Sequence, residues 1–506
     1  MKSNITNLRS GIVVFLVALP LCLGIALACN VPLFSGILAG IVGGILVTLF
    51  SGSTLSVSGP AAGLTSIILV AVSALGSFEI FLAAVLFAGA FQIVLGLIKA
   101  GGVGNFVPSA VIKGMLAGIG IILIMKQIPH LVGYDRDPEG NFDFFQQDGH
   151  NTFTDLYYMF DYISPGAVII GIVSILILLM GERAFYKNDK ILSLIPTPLL
   201  VVVVGALLNI SFNKYGSLLI SPEHMVALPV IKNFGDLSNT LIFPDFSSIY
   251  KPGFWGVVIT LAAVASLESL LSLEATDKLD PEKRYSNSNK ELIAQGIGNM
   301  ACGLIGALPV TAVIVRSSAN IHAGATSKLS SIIHGALLLL AIFLIPNVLM
   351  LIPNASLAAI LVITGYKLTK LDLFKEHFKK GIDQFLPFLV TIVVMLTTDL
   401  LKGVGAGVAV SLFFIIRYNI KSSFEIAEDI IDGKRNYLIK LPQYITFFNK
   451  GFIITYLNKV KTESRVIIDG SINRTTDKDV QEVFHDFAEK AKENNIEIQL
   501  VKYKIL

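Results

Sequence analysis

Apolar runs of about 17 to 22 residues, long enough as helices to cross a hydrocarbon core of about 30 Å, recur along most of the chain. Their centres fall near Leu19, Ile41, Ser66, Gly89, Gly118, Ile172, Val202, Ala263, Gly298, Val315, Leu337, Ile360, Val393 and Val410. Fourteen such runs, some shortened where Gly or Pro interrupts them, predict a polytopic α-helical membrane protein. After about Ser422 the pattern turns polar. There "RNYLIKLP", "SRVIIDGS" and "IEIQLV" read as short strands, and "DKDVQEVFHDFAEKAKEN" as an amphipathic helix between the last two. The chain is therefore expected to divide into a transmembrane domain over 1–421 and a small α/β domain over 435–506.

Charge placement tests the count of spans. Lys and Arg gather in alternate connections: Lys99; Arg183, Lys187 and Lys190; Lys278, Lys283, Arg284 and Lys290; Lys328; and Lys367, Lys370, Lys375, Lys379 and Lys380. The positive-inside rule places these connections and both termini in the cytoplasm, and the expected membrane is a bacterial-type inner membrane. The acidic stretch "YDRDPEGNFDFFQQDGHNTFTDLYYMFD" then lies outside. Composition agrees, with 54% hydrophobic and 15% charged residues and a mean hydropathy of +0.73. A net charge of +3 with no basic run interleaved with aromatics sets nucleic acid aside as a partner. Cys22, Cys29 and Cys302 lie in apolar stretches without CxxC spacing, and read as buried thiols.

Two apolar segments are interrupted in a matching way: "STLSVSGPAAGLTSI" and "GALPVTAVIVRSSANI". Pro60 and Pro309 each suit the first turn of a helix that begins within the membrane. Leu19 to Pro60 and Glu268 to Pro309 are both separated by 41 residues. Matching broken segments predict a repeat of seven spans each, about 10–212 and 253–421, inverted because seven is odd. The two half-helix N-termini would then face each other near the midplane. Their unpaired N–H groups and dipoles make an anion site, lined by Ser58, Gly59, Ala61, Val310, Thr311 and Ala312. The alternative is that both prolines mark ordinary helix starts after loops.

Glu268 lies inside an apolar run, where a carboxylate costs about 2.5–3.5 kcal/mol on insertion scales. Ionised at about 5 Å from a bound anion it would repel that anion by about 3 kcal/mol at an effective dielectric near 20. Binding Na⁺ or H⁺ on Glu268 removes the penalty, and the reciprocity of coupling makes the pair a symport device. Ser272, one turn further on, could add an oxygen ligand to Na⁺. Arg316 could hold positive potential beneath the anion, pair with Glu268, or snorkel to the surface. Lys113, His322 and His334 are weaker candidates, and Glu274 reads as a helix-end residue.

At these residues the chain resembles the SulP family of inorganic anion transporters, solute carrier family 26 in animals. The resemblance rests on "IVVFLVALPLCLGIALACNVPLFSGILAGIVGG", "SVSGPAAG", "SLESLLSLEATDKLD", "NKELIAQGIGNMACGLIGALPVTAVIVRSSANIHAGATSKLS" and "LIPNASLAAILVITGYK". It implies fourteen helices in two inverted halves, an elevator-like movement of a core against a gate, a cytoplasmic STAS domain and a homodimer. It also implies a cation site at Glu268 and Ser272, and an anion site at Val310 to Ala312 with Arg316. Sulfate or bicarbonate is the expected substrate, with a dicarboxylate, or a passive channel or exchanger of the same fold, as alternatives. No cofactor beyond a coupling ion is expected, and no catalytic pair that would make an enzyme. The tail looks like a shortened STAS domain with Asp477 and Lys478 where anti-sigma antagonists carry a phosphorylatable serine, which argues against a phosphorylation switch.

Overall fold

The computed structural model describes residues 2–136, 144, 151–183, 195–212, 218–226, 241–344, 346–422, 424–431 and 434–503. Most of the acidic connection (137–143 and 145–150), with Lys187 and Lys190, lies outside the described residues. The chain forms two compact units, Met1–Val408 and Ala409–Leu506.

In the first unit the helices are α1 (Lys2–Ala28), α2 (Leu33–Val42, continued by a π turn at Gly43–Val47 and by Thr48–Phe50), α3 (Thr65–Leu75), α4 (Phe78–Leu97), α5 (Ser109–Leu131), α6 (Thr152–Tyr158), α7 (Pro165–Gly181) and α8 (Thr197–Phe212). The second half supplies α9 (Pro252–Leu279), α10 (Ser288–Ile305), α11 (Ile314–His322), α12 (Leu329–Leu344), α13 (Asn354–Leu368), α14 (Leu371–Lys379), α15 (Ile382–Thr397) and the start of α16 (Leu400–Ser422), which continues past Val408 into the second unit. Each of the fourteen centres read from the sequence falls in one of these helices. Among the described residues six helices are long and apolar enough by themselves to cross a membrane, seven if the pair bent by 119° at α6–α7 is one span. Of the remaining spans, Thr197–Phe212, Leu329–Leu344 and Ile382–Thr397 are apolar but shorter, whereas α10 has 18 residues and is set apart by its polar side chains.

The ends follow local chemistry. Ser77 caps α4 by accepting from Ile80 N at 3.3 Å, and Asn287 caps α10 by accepting from Lys290 N at 3.0 Å. Gly76 and Gly306 close α3 and α10 in the left-handed region, at φ 89° and 82°. Large side chains such as Val70, Leu97, Leu207 and Ile259 remain exposed on the outer faces, an extent of apolar surface suited to lipid.

The two halves meet through matching pairs of helices. A Cβ on Gly44 of the α2 span would meet Gly335 Cα of α12 at 2.7 Å, and one on Gly89 of α4 would meet Gly296 O of α10 at 2.6 Å. The second helix of one half thus meets the fourth of the other, twice. The fifth helices, α5 and α13, meet each other, with Gly120 and Gly365 each placing a Cβ within about 2.6 Å of the other's carbonyl. Small residues at these points let backbones approach without a hydrophobic drive between helices.

At the centre lies a two-stranded antiparallel ribbon, β1 (Ser58–Pro60) and β2 (Val310–Ala312), with Gly59 opposite Thr311. This corrects the alignment of the two prolines: Pro60 is the last residue of its strand, and Pro309 precedes the other strand. Neither sits in a helical first turn.

The second unit carries a four-stranded sheet in the order β3-β4-β6-β8, formed by β3 (Glu425–Ile431), β4 (Lys434–Lys440), β6 (Arg465–Asp469) and β8 (Glu497–Val501). β5 (Tyr444–Ile445) pairs in parallel with β7 (Thr475–Thr476). Helix α17 (Lys450–Leu457) and helix α18 (Lys478–Glu493) complete it. Val466, Ile468, Val480 and Phe484 are fully buried at its centre. β3 begins ten residues before the expected start at 435; its charged alternation, "EIAEDII", hid a strand.

Candidate functional site

The ribbon delivers both half-helices to one place. After Pro60 the chain turns through a 3₁₀ segment, Ala62–Leu64, into α3, and after Ala312 it enters α11 at Ile314. Val313 N donates to Val57 O at 2.9 Å, Val57 N donates to Ser317 Oγ at 3.0 Å, and Asn320 Nδ2 donates to Leu55 O at 3.0 Å. The two discontinuous segments are thereby stitched together, each leaving first-turn N–H groups without helical partners.

A cavity of about 50 Å³ opens at these helix starts, with Ala62 and Gly63 on one side and Val313, Ile314 and Val315 on the other. Glu268 and Ser272 of α9 face it, and Ile119, Ile122, Met395, Asp399 and Leu400 close it. Glu268 is 8% exposed, and its Oε2 has no hydrogen-bond partner. Its Oε1 lies so near the Gly63 backbone that a Cβ there would be 3.0 Å away. Glycine is what lets the carboxylate reach the first half-helix.

The sequence-derived set divides between cavity and ribbon. Glu268 and Ser272 line the cavity together. Ser58, Gly59, Val310, Thr311 and Ala312 form the ribbon itself and Ala61 follows it, so the backbone that lines the cavity comes one to five residues later in each half. Arg316 is fully buried behind the ribbon. Its guanidinium lies against Gly59 and donates through Nη2 to Cys22 Sγ at 3.2 Å, while Nε and Nη1 have no acceptor. It neither pairs with Glu268 nor snorkels outward.

The sequence reading missed Asp399 and Gly63. Asp399 caps α16, accepting from Lys402 N at 2.9 Å and pairing with Lys402 Nζ at 2.8 Å. An Asp three residues before that Lys, at the join of two apolar runs, is a cap signal that could have marked it. Among the weaker candidates, Lys113 pairs with Glu376 at 3.1 Å and His334 is fully buried. His322 lines a second cavity of about 330 Å³ with Arg9, Glu182 and Lys367, at the far end of α11. Among the described residues no three His, Cys, Asp or Glu side chains group as metal ligands.

Two inverted halves of seven helices, meeting through broken segments at a buried carboxylate, define a membrane transporter of the inverted-repeat class. Residues 5–393 match the sulfate permease family, and the chain belongs to that family, whose members are anion transporters and not enzymes. A putative sulfate transporter of Bacillus subtilis, YvdB, is 28% identical over 81% of this chain and 73% of its own length. The bicarbonate transporter BicA of Picosynechococcus is 26% identical over 86% of this chain and 75% of its own. Among solved structures, murine Slc26a9 in its inward-facing state shares the fold with a TM-score of 0.70 at 17% identity, covering 99% of this chain and 86% of that one. The transmembrane domain of a cyanobacterial BicA gives 0.56 at 22% identity, covering 81% and 98%.

Proposed function

We propose that this protein is a secondary-active transporter that takes up sulfate or bicarbonate by symport with a cation held on Glu268. The observation that carries the reading is the placement of the Glu268 carboxylate in the cavity where both half-helices start. An anion drawn to those N–H groups meets a carboxylate at van der Waals range. Neutralising that carboxylate is then a condition for anion binding, and the anion in turn favours the neutralised form.

The proton suits the site better than sodium. One carboxylate oxygen without a hydrogen-bond partner needs one proton, whereas a hard cation seeks several oxygens, and Ser272 and Asp399 are the other side-chain oxygens at the cavity. Alternating access by an elevator-like slide fits a cavity walled on one side by α9 and the half-helices and on the other by α5, α15 and α16. The tail is read as a STAS-like domain serving regulation or assembly of a homodimer, on the cytoplasmic face of a bacterial inner membrane.

The test is uptake of labelled sulfate and labelled bicarbonate by proteoliposomes, under an imposed pH gradient and then a Na⁺ gradient. Accumulation under the pH gradient is expected. Accumulation under Na⁺ alone would name sodium instead. Accumulation under neither, with tracer exchange intact, would replace the symporter by an exchanger or channel, and transport of a dicarboxylate alone would replace the substrate.

A further inference from the structure

Helix α10 carries a buried polar stripe, Glu291, Gln295 and Asn299, spaced four residues apart on one face. Each residue has a partner in the central ribbon or its approach. Glu291 accepts from Ser51 Oγ, from Gly52 N at 3.1 Å and from Gln295 Nε2 at 2.8 Å. Gln295 Nε2 also donates to Ser58 Oγ at 2.7 Å. Asn299 takes both backbone groups of Val310: its Oδ1 accepts from Val310 N at 2.6 Å and its Nδ2 donates to Val310 O at 3.0 Å.

The stripe does not end there. Asn299 Nδ2 donates to Gln92 Oε1 of α4 at 2.7 Å, and Gln92 Nε2 donates to Ser266 Oγ of α9 at 3.3 Å. Ser266 stands two residues before Glu268. On the other side, Ser269, one residue after Glu268, accepts from Ala312 N at 3.3 Å. The strand that launches α11 is therefore tied to α9 at both of its ends, and the two ties flank the carboxylate.

Burying a Gln–Asn–Ser chain among helices costs desolvation unless every link is made. Apolar side chains would have packed the same helices without that requirement. What the chain adds is direction: it joins the position of Ser266 to the position of Val310, and so the helix bearing Glu268 to the strand that sets the anion site.

We propose that Asn299 and Gln92 are positioning residues that transmit the state of Glu268 to the anion-binding helix start, acting through the backbone of Val310. The proposal rests on the reading that Glu268 carries the coupling cation. Neutralising Glu268 relaxes its hold on Gly63 and lets α9 shift, and the Ser266–Gln92–Asn299 chain carries that shift to β2. Without the chain, cation and anion would still bind, each with less regard for the other.

Adjacency alone does not show coupling, so the test is a cycle of variants. Equilibrium affinities for sulfate and for bicarbonate are measured on the purified full chain for the native protein, E268Q, N299A and N299A/E268Q. E268Q is expected to change affinity by about fivefold or more in the native background, the lower range of measured couplings, and by a clearly smaller factor in the N299A background, where the direct repulsion between carboxylate and anion remains but the relayed part is lost. In proteoliposomes N299A should lower the ratio of gradient-driven accumulation to anion exchange. A merely structural role would lower the amount of folded protein while leaving the ratio of accumulation to exchange unchanged.

S266A breaks the chain at its other end without touching the ribbon, and should act in the same direction if N299A does not fold; S266T should restore coupling. An equal effect of E268Q in both backgrounds overturns the relay and leaves Glu268 as the coupling residue. No effect of E268Q in either background overturns both.

Discussion

Gly59 and Arg316 occupy adjoining space at the centre of the molecule: a Cβ on Gly59 would stand 2.8 Å from Cζ of the buried guanidinium. The ribbon can lie over the arginine because residue 59 has no side chain. Gly59→Ala forces either strand or guanidinium to move. Overpacking of this kind costs about 1–3 kcal/mol, and the thermal unfolding midpoint of the purified protein should fall accordingly. Gly256→Ala, inside α9 where an added Cβ meets nothing within 4 Å, should leave the midpoint unchanged or raise it slightly, because Ala is favoured over Gly in a helix by about 0.5–1 kcal/mol. Equal midpoints for both variants would remove the packing argument.

Glu268 reaches the first half-helix over Gly63. Glu268→Gln should abolish gradient-driven accumulation while leaving a folded protein and measurable anion exchange. Gly63→Ala places a methyl about 3.0 Å from Glu268 Oε1 and should give an intermediate loss, because the carboxylate is pushed from the helix start without being removed. Uptake assays on the two variants side by side check the order. Native accumulation in Glu268→Gln would end the coupling role.

Much of this arrangement was legible in the sequence, for reasons that differ by level. Helices crossing lipid must be long and apolar, so fourteen centres could be read from hydropathy alone. Glu268 stood out because charge in such a run is costly. The ribbon register was not legible: matching the two prolines ignored that Pro60 ends its strand while Pro309 precedes the other, and three residues of offset are invisible to spacing. Arg316 could be placed on its helix but not on its face, since burial behind the ribbon depends on Gly59 leaving room. Asp399 escaped notice because it belongs to a helix cap between spans, and only folding brings α16 to the cavity. The polar stripe on α10 was passed over because each of its residues, taken alone, looks like ordinary helix chemistry.

The second unit has its own core, so it should respond to mutation separately. Phe484 of α18 is fully buried against the sheet. Phe484→Ala should cost about 3–5 kcal/mol, enough to open a small domain. Hydrogen exchange on the full-length protein should then show lost protection across β4, β6 and β8, with helices α1 to α13 unchanged. Protection lost evenly along the whole chain would mean that the two units unfold as one.

Beyond the end of α5, Asp135 bridges two histidines, with Oδ1 at 2.5 Å from His130 Nδ1 and Oδ2 at 2.6 Å from His224 Nδ1. Burial by itself would raise the Asp135 carboxyl, but the hydrogen bonds from His130 and His224 outweigh it and hold the group below its ordinary value. The hydrogen bond to Asp135 holds His224 above its ordinary 6.5, against the opposing effect of burial. A raised histidine contributes stability that is complete below the unfolded value and disappears as pH rises through the folded one. A lowered carboxyl contributes stability present above its unfolded value of about 3.8 and lost as pH falls through the folded one. The cluster is therefore strongest between those limits, in mildly acidic solution. Asp135→Asn should lower the unfolding midpoint most near pH 5 to 6, and the difference from the native protein should shrink as pH rises past the raised His224 value. His224→Ala should flatten the same pH dependence. A difference between Asp135→Asn and the native protein that stays constant from pH 5 to pH 9 would show that Asp135 acts through packing and neutral hydrogen bonds alone, with no charge on His224.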